Sequence, residues 1–507
     1  MKKIAIISTI FLGMSVASCD SYLDINQDPN SPVQEVMTTS IMMPAAEMGL
    51  AATYGNLLRI PGGYFSQHYS HMFGTSNYVD YSQFTMSPVR SNSAYAQLNT
   101  VVLKNVQTIL GLAEKNEEWG TYLAATTLRC FALQALVDCY GSVVYTEALD
   151  YLNNSSPHYD EGSVVYEGLL KELDEALAKA DADDIVATNF LYKGQSAANW
   201  IKFANALKLK ILSRASKVAS FNADAQIAAI ISEGNLPTAD VAYTSCWSNE
   251  TGQMNPYYSE EFSSSFGSTQ INVTANLALV GTMQLKDENG DIVYQDPRLA
   301  AFFAKNNSGE FTGGVSGTNF STTDQYKSGY WCRPAMAYNT PVCLISLAEI
   351  EFFISEFYAR KNDAAQAAAH YAAAVEASFA SAGVGGAAEN ISRYPYDQAN
   401  YKQVLGLAKW IALSGVNNFE SWCELRRLRY PAFGNVTGEQ IYNVNTDDFK
   451  PELYVPGTLY TPIQVDGNIG KNHLIERWPF ASDASSSNGN APKFENSDYL
   501  KPLFWAE

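Results

Sequence analysis

Apolar positions along this chain recur at steps of three and four, and the helices this predicts come in twos. The first pair runs from about Ala94 to Glu114 and, after Asn116-Glu117-Glu118, from Trp119 to Cys139. On its second member Trp119, Tyr122, Thr126, Cys130, Leu133, Val137 and Tyr140 fall on one face. A second pair spans about Ser163–Ala180, striped by Tyr166, Leu170, Leu173 and Leu177, and Ser196–Val218, striped by Trp200, Ala204, Leu207, Ile211, Ala215 and Val218. In the third, Leu347, Ile350, Ile354 and Phe357 mark one helix. A turn at Lys361-Asn362 leads into Ala364, Ala368, Tyr371, Val375 and Phe379, and Gly383, Gly385 and Gly386 stop it. This helix–turn–helix of about 34 residues, small on its packing face, reads as a tetratricopeptide unit. A fourth pair joins Tyr401–Leu413 to Phe419–Arg429 through Ser414-Gly415. The pattern predicts a mostly α fold: a tetratricopeptide-like scaffold of about four helical pairs over 40–240 and 341–430.

Residues 241–340 and 430–507 break the pattern. They are rich in Gly, Ser, Asn, Thr and aromatics and are expected to be long, structured insertions that carry function, with minor β hairpins. One hairpin is specific. Gln284-Leu285-Lys286 and Ile292-Val293-Tyr294 flank Asp287-Glu288-Asn289-Gly290-Asp291, where Asn-Gly signals a tight turn. That turn resembles a calcium loop only in its oxygen-rich start; the remaining spacing and closing glutamate are missing.

The N-terminus adds a location. Lys2 and Lys3 precede an apolar run from Ile4 to Val16, then Ala17-Ser18-Cys19. That run is too short for the roughly 20 residues a membrane span needs. It reads as a signal, residues 1–18, ending in a lipobox that makes Cys19 the lipidated first residue of the mature chain. No other apolar stretch approaches spanning length, so the body 19–507 is expected to be soluble and tethered.

Composition narrows the partners. A formal charge of −19 disfavours nucleic acid and anionic lipid. Charged residues are only 17% of the chain, however, while 31 tyrosines supply flat faces with hydroxyls suited to sugar rings or extended peptides. The six cysteines beyond Cys19 show no metal or disulfide spacing. Cys130 and Cys139 fall on opposite faces of one helix and cannot pair. Mostly free, buried thiols are expected.

Several ordered segments carry a resemblance. They are Cys19-Asp20-Ser21-Tyr22-Leu23-Asp24-Ile25-Asn26 with Asp28-Pro29-Asn30, the run Arg129–Gly141, the run Asn199–Lys210, Asp296-Pro297-Arg298-Leu299, Leu347–Phe352, and Trp422-Cys423-Glu424-Leu425-Arg426-Arg427. Together, behind a lipobox, they resemble the SusD/RagB family of outer-membrane nutrient-binding lipoproteins, in its SusD-like branch, over essentially the whole mature chain. Two places depart. Ser142-Val143-Val144-Tyr145 stands where the family usually has Asp-x-Pro-Tyr, and Arg477-Trp478-Pro479-Phe480 matches its C-terminal pattern only in part.

The resemblance implies a single domain, 19–507, anchored through a palmitate-bearing lipid in the cell outer membrane and facing the surface. It also implies a partner, a SusC-like TonB-dependent transporter, over which the protein acts as a lid delivering an oligosaccharide. Oligopeptide is the alternative cargo. Relatives use the region between the early helices for ligand, so Asn77, Tyr78 and Tyr81 are expected at the site, joined by Trp247, Tyr257, Tyr258 and Trp331 from the later block. For each, the alternative is core packing or contact with the transporter.

Catalytic patterns are missing. Gly314-Val315-Ser316-Gly317-Thr318 fails the nucleophile-elbow pattern at its last position, and no phosphate-cradling glycine loop or dinucleotide fingerprint occurs. His68 and His71 would share a helical face, but with five histidines and no Glu-x-x-His or cysteine partner they read as structural, not metal-binding. No cofactor is expected. The reading is a binding protein, with a surface hydrolase or a pure protein-interaction scaffold as alternatives.

Overall fold

Each helical pair that the periodicity predicts is present in the computed structural model, which describes residues 37–72, 75, 77–150, 153–263, 272–317 and 330–506. The proposed signal, Cys19 and the first family segment lie outside the described residues. The helices used below are α1 (Thr39–Ala52), α2 (Lys104–Lys115), α3 (Trp119–Tyr140), α4 (Gly162–Lys179), α5 (Ala198–Arg214), α6 (Leu347–Arg360), α7 (Ala364–Ser381), α8 (Tyr401–Leu413) and α9 (Asn418–Leu428). The rod ending in α2 starts earlier than the predicted Ala94, at Pro88, where a missing N–H costs nothing in the first turn, and passes through a π-helical stretch, Gln97–Leu103. The predicted turns are real: Asn362 (φ 60°) links α6 to α7, Gly383 (φ 68°) follows α7, and Gly415 (φ 69°) links α8 to α9.

Helix α3 departs from its expected single stripe. It is buried on nearly every side, because α1, α2, α4 and α5 all pack around it. The short helix Arg59–Phe65 reaches α9 through Gly62, where any Cβ would sit 2.6 Å from the Phe419 Cα. Only glycine permits that approach. Cysteines 130, 139, 332, 343 and 423 are buried and free, and Cys246 is free and half-buried.

The strands that matter are β1 (Tyr69–His71), β2 (Val241–Tyr243), β3 (Val273–Ala275), β4 (Gln284–Lys286), β5 (Ile292–Gln295) and β6 (Val342–Ile345). They form two-stranded antiparallel pairs, β1 with β3, β2 with β6 and β4 with β5. The β2–β6 pair aligns Tyr243 with Val342 and so clips together the two roots of the 241–340 block. The expected Asp287–Asp291 turn closes β4–β5, with the Asp287 carboxylate accepting the Asn289 and Asp291 N–H groups at 2.9 and 3.0 Å. His68 and His71 do not share a helix. His68 follows the Arg59–Phe65 helix and lies among Asn418, Ser421 and the Trp410 ring, while His71 belongs to β1. Burial first, and the nearby Arg59 charge with it, lower the His68 pKa to about 3, so its imidazole is neutral.

The C-terminal block is more internal than its loop-like composition suggests. Trp478 donates its backbone N–H to the Cys139 carbonyl at the end of α3 and stacks on Trp422, 6.0 Å between centroids. The Arg426 guanidinium lies over Trp422 at 3.4 Å and over Trp505 at 4.9 Å. Residues 459–506 thus close the scaffold with buried Ile463, Ile475, Trp478, Leu503 and Trp505.

At the centre, charged side chains replace apolar ones. Lys210 of α5 meets Glu349 of α6 at 3.1 Å and Glu420 of α9 at 2.7 Å. Arg214 pairs with Asp138 of α3 and with Glu420, and Tyr166 of α4 donates to Asp138 at 2.6 Å. Lys409 of α8 meets Glu424 at 2.9 Å, and Arg427 bridges Glu424 and Glu356 at 2.6 and 2.5 Å. All of these side chains are buried. Burial alone would raise the Glu424 carboxyl, but Arg427 and Lys409 outweigh it and hold it well below the usual range. Glu349 differs: burial wins over Lys210 and pushes its pKa up to about 7.

Two outcomes follow from this arrangement. Arg427→Met leaves Glu356 and Glu424 short of compensation in the interior, and urea denaturation should show a loss of about 3–5 kcal/mol. The folded state holds the Glu349 proton more tightly than the unfolded chain, whose glutamates titrate near 4.5. This carboxyl therefore lowers stability as pH rises from about 4.5 to about 7. Glu349→Gln should remove that part of the slope in melting temperature measured across the same window.

Candidate functional site

The early segment reaches the surface through a tight turn. Asn77 is half-buried and precedes Tyr78, whose φ of 64° starts the single-turn helix Val79–Ser82. Tyr78 and Tyr81 stack on each other, 5.7 Å apart and 9° from parallel, and both lean on Tyr64. Arg90, held by Asp80 at 2.9 Å, spreads its guanidinium over Tyr81 at 5.4 Å. In the later block, Asn255 caps the helix Pro256–Glu261 by accepting the N–H groups of Tyr257 and Tyr258. Tyr257 points inward against Tyr69, while Tyr258 points outward and stacks on Phe262 at 5.9 Å. The Arg333 guanidinium covers Phe262 at 4.6 Å.

These rings form one connected series. Tyr81, Tyr78, Tyr64, Tyr69, Tyr257, Phe262 and Tyr258 follow one another with neighbouring centroids between 5.6 and 6.4 Å apart. The β1–β3 pairing that joins residues 69–71 to 273–275 brings the early and late segments together. Four of the expected residues, Tyr78, Tyr81, Tyr257 and Tyr258, therefore belong to one aromatic band. Trp247 and Trp331 do not. Trp247 is half-buried, with its indole N–H given to the Tyr243 carbonyl at 3.0 Å. Trp331 is buried, edge-on to Tyr330 and Phe449.

The seven side chains expected at the site differ in exposure. The rings of Tyr257 and Trp331 are 0% and 2% exposed, and Tyr78 and Tyr81 are 7% and 6%. These rings pack in the core, because the aromatic area they would show to water is more favourably covered by neighbouring rings. Asn77, Tyr258 and Trp247 keep accessible surface.

A cleft of about 960 Å³ opens elsewhere in the loop-rich blocks. Its walls are the helix Leu277–Met283, the β4–β5 hairpin, the 305–313 loop and the 449–456 segment. Phe311 and Tyr454 line it from the core side, Lys305 lying over the first ring at 5.5 Å and Gly281 against the second, where a Cβ would strike at 2.6 Å, while Tyr330 and Phe449 are half-buried in the wall. The Tyr454 hydroxyl is committed to structure, lying 2.7 Å from the Thr458 carbonyl and 2.9 Å from the Thr282 hydroxyl. Around the mouth stand Asp287, Glu288, Asp291, Glu310 and Glu452, with Lys286 and Lys305. Sequence reasoning singled out the Asp287–Asp291 turn but had no means of pairing it with residues 310 and 452.

Comparison with known proteins turns on the whole chain. A family model for SusD-like proteins, described as starch-binding and associating with the outer membrane, matches residues 29–451. The chain belongs to the SusD-like family. Among solved structures it is similar to a SusD homolog from Bacteroides uniformis, with TM-score 0.72 and 18% identity, covering 92% of this chain and 99% of that one. A chitin-binding protein superposes with TM-score 0.70 at 18% identity over 92% of this chain and 100% of that one. A chitin-binding SusD homolog from Flavobacterium johnsoniae gives 0.68 at 18% identity over 91% and 98%. At such identity the likeness is one of fold. No curated protein sequence matches the chain. No helix among the described residues is long and apolar enough to cross a membrane.

Burial separates the aromatic residues into two experimental classes. Trp331→Ala should cost about 3–5 kcal/mol in denaturant unfolding, as a large core ring is lost. Tyr258→Ala, at a half-exposed ring, should stay within about 1 kcal/mol of the parent.

Proposed function

We propose that this SusD-like protein captures a nutrient oligomer, a glycan, at the cell surface and passes it to a TonB-dependent outer-membrane transporter over which it acts as a lid. The observation that carries the reading is a cleft of about 960 Å³ built only from the two loop-rich blocks, in a family described as starch-binding and associating with the outer membrane. A helical scaffold fixed by internal ion pairs can hold loops in a preformed shape, and a preformed site loses little entropy on binding. Tyr330 and Phe449, both half-buried, line the cleft and suit the C–H faces of sugars, and the carboxylates around the mouth accept hydroxyl hydrogens.

The exposed parts of Asn77 and Tyr258 supply a second face for cargo or for the transporter, with Tyr78, Tyr81 and Tyr257 beneath it; Trp331 instead packs behind Tyr330 and Phe449 of the cleft, and Trp247 offers a separate half-buried ring. Cys19 carries the lipid that holds the protein at the membrane. Several acyl chains on one cysteine anchor durably, at about 0.8 kcal/mol per buried CH₂. Chemistry on the cargo is left to other proteins.

Isothermal calorimetry of the chain without residues 1–19 tests this against panels of neutral, anionic and amino-bearing glycans and mixed oligopeptides. Saturable heat with a glycan and no turnover of it supports capture of a glycan. Heat only with peptides moves the cargo to oligopeptide, and hydrolysis of either makes the protein an enzyme. Co-purification with a barrel of the same membrane tests the transporter partnership.

A further inference from the structure

We infer that the buried Arg59 guanidinium holds a monovalent anion of chloride size, with the hydroxyls of Tyr257 and Ser414 as its further donors. Five arginines are buried among the described residues, and four of them are compensated within the protein. Arg214, Arg298 and Arg427 meet carboxylates. Arg426 donates to the carbonyls of Trp422, Asp138 and Glu476 and lies over the rings of Trp422 and Trp505. Arg59 has no such complement. It is 4% exposed, yet no carboxylate among the described residues lies within 4 Å of its nitrogens. Its Nε–H goes to the Tyr69 hydroxyl at 3.3 Å, and Nη2 donates to the Gly415 carbonyl at 2.7 Å and toward the Met336 sulfur at 3.8 Å. Nη1 makes no hydrogen bond to any described residue. A guanidinium taken out of water is strongly disfavoured unless negative charge stands close to it.

Two more donors belong to the same place. The Tyr257 ring lies under the guanidinium, 5.2 Å from its centroid to Cζ, and Ser414 precedes the glycine whose carbonyl receives Nη2. Both hydroxyl oxygens are buried without a partner among the described residues. A buried hydroxyl left unpaired is costly, and each can turn its hydrogen toward an anion. The Arg59–Phe65 helix, the Pro256–Glu261 helix and the turn between α8 and α9 thus bring unspent donors together from distant parts of the chain. The Tyr69 hydroxyl adds none, since it donates to Asn418 at 3.3 Å.

The pattern of free donors selects the ion. A carboxylate or phosphate is held best by two nitrogens on one edge of a guanidinium. Here Nε and Nη2 are already engaged, so both such edges are taken and Nη1 remains as a single donor. Single donors on separate elements suit a spherical ion. Met336 and Gly415, which touch the guanidinium, are only half-buried, so a small ion has a short path inward. Bound there, the anion fastens the helix before β1 to the α8–α9 turn and to the helix that carries Tyr257.

The test is chloride-35 line broadening by the chain without residues 1–19, at constant ionic strength made up with gluconate. Saturable excess broadening is expected, displaced by bromide, and crystals grown in bromide should show an anomalous peak beside Arg59 Nη1. Arg59→Leu should abolish the saturable part. Ser414→Ala and Tyr257→Phe each remove one hydroxyl and keep the shape, so they decide the matter even where the arginine variant fails to fold. Each should weaken chloride about three- to tenfold. Wild-type protein without saturable broadening overturns the site, and so does unchanged affinity in both hydroxyl variants. Acetate or phosphate displacing chloride more strongly than bromide does overturns the halide assignment. A bromide peak without saturable binding in solution marks an adventitious ion only, and overturns it as well.

Discussion

Five helices from both halves of the chain meet at charges that water does not reach, and the rest of the architecture is arranged around keeping those charges paired. An ion removed from water loses several kcal/mol of solvation, which only close opposite charges and hydrogen bonds can offset. Asp138, Lys210, Arg214, Glu356, Lys409, Glu420, Glu424 and Arg427, with Glu349 beside Lys210, come into register only when α3, α5, α6, α8 and α9 stand in one relative position. Apolar stripes would tolerate a helix sliding by a turn with modest loss. A carboxylate that must meet Arg427 from one side and Lys409 from another tolerates no slide. The network therefore sets the register of the scaffold more than it adds to its stability.

A scaffold with fixed register can carry irregular chain. The 241–340 block leaves and re-enters through paired strands β2 and β6, and its β3 strand is clipped to β1 near the start of the fold. The C-terminal chain runs back across α3 and α9 and seals the charged centre with Trp478 and Trp505, the latter ring shared between Arg214 and Arg426. The same chain supplies the 449–456 wall of the cleft. One physical design thus links a buried ionic centre to an open cleft at the periphery.

The candidate site was only partly legible. Tyrosine and tryptophan offer themselves equally to a ligand and to a core, and sequence carries no sign of which they meet. Tyr257 and Tyr258 are adjacent, yet one helical step turns the first inward to Tyr69 and the second outward over Phe262. The cleft stayed hidden for a different reason. Its carboxylates lie in three segments between residues 287 and 452, each unremarkable alone, and charge repulsion among neighbours becomes visible only when they share a space.

Local physics determined much from sequence alone. Three-and-four periodicity, a left-handed Asn362, the stops at Gly383 and Gly415 and the Asn-Gly turn depend on residues within a few positions of one another, so the helical pairs and the β4–β5 hairpin could be read directly. The ordered segments that marked the family could be read too, but not their reason. Asp138, Lys210, Glu349, Glu424 and Arg427 sit inside those very segments, and each on its own looks like a solvated charge on a helix. Whether an ion is buried depends on partners on other helices, some as far apart in the chain as Lys210 and Glu420, since Coulomb attraction and desolvation act through space and not along the chain. Only the tertiary structure decided that these charges form the centre and that the aromatic tail lies inside. It also placed the open acids around a cleft.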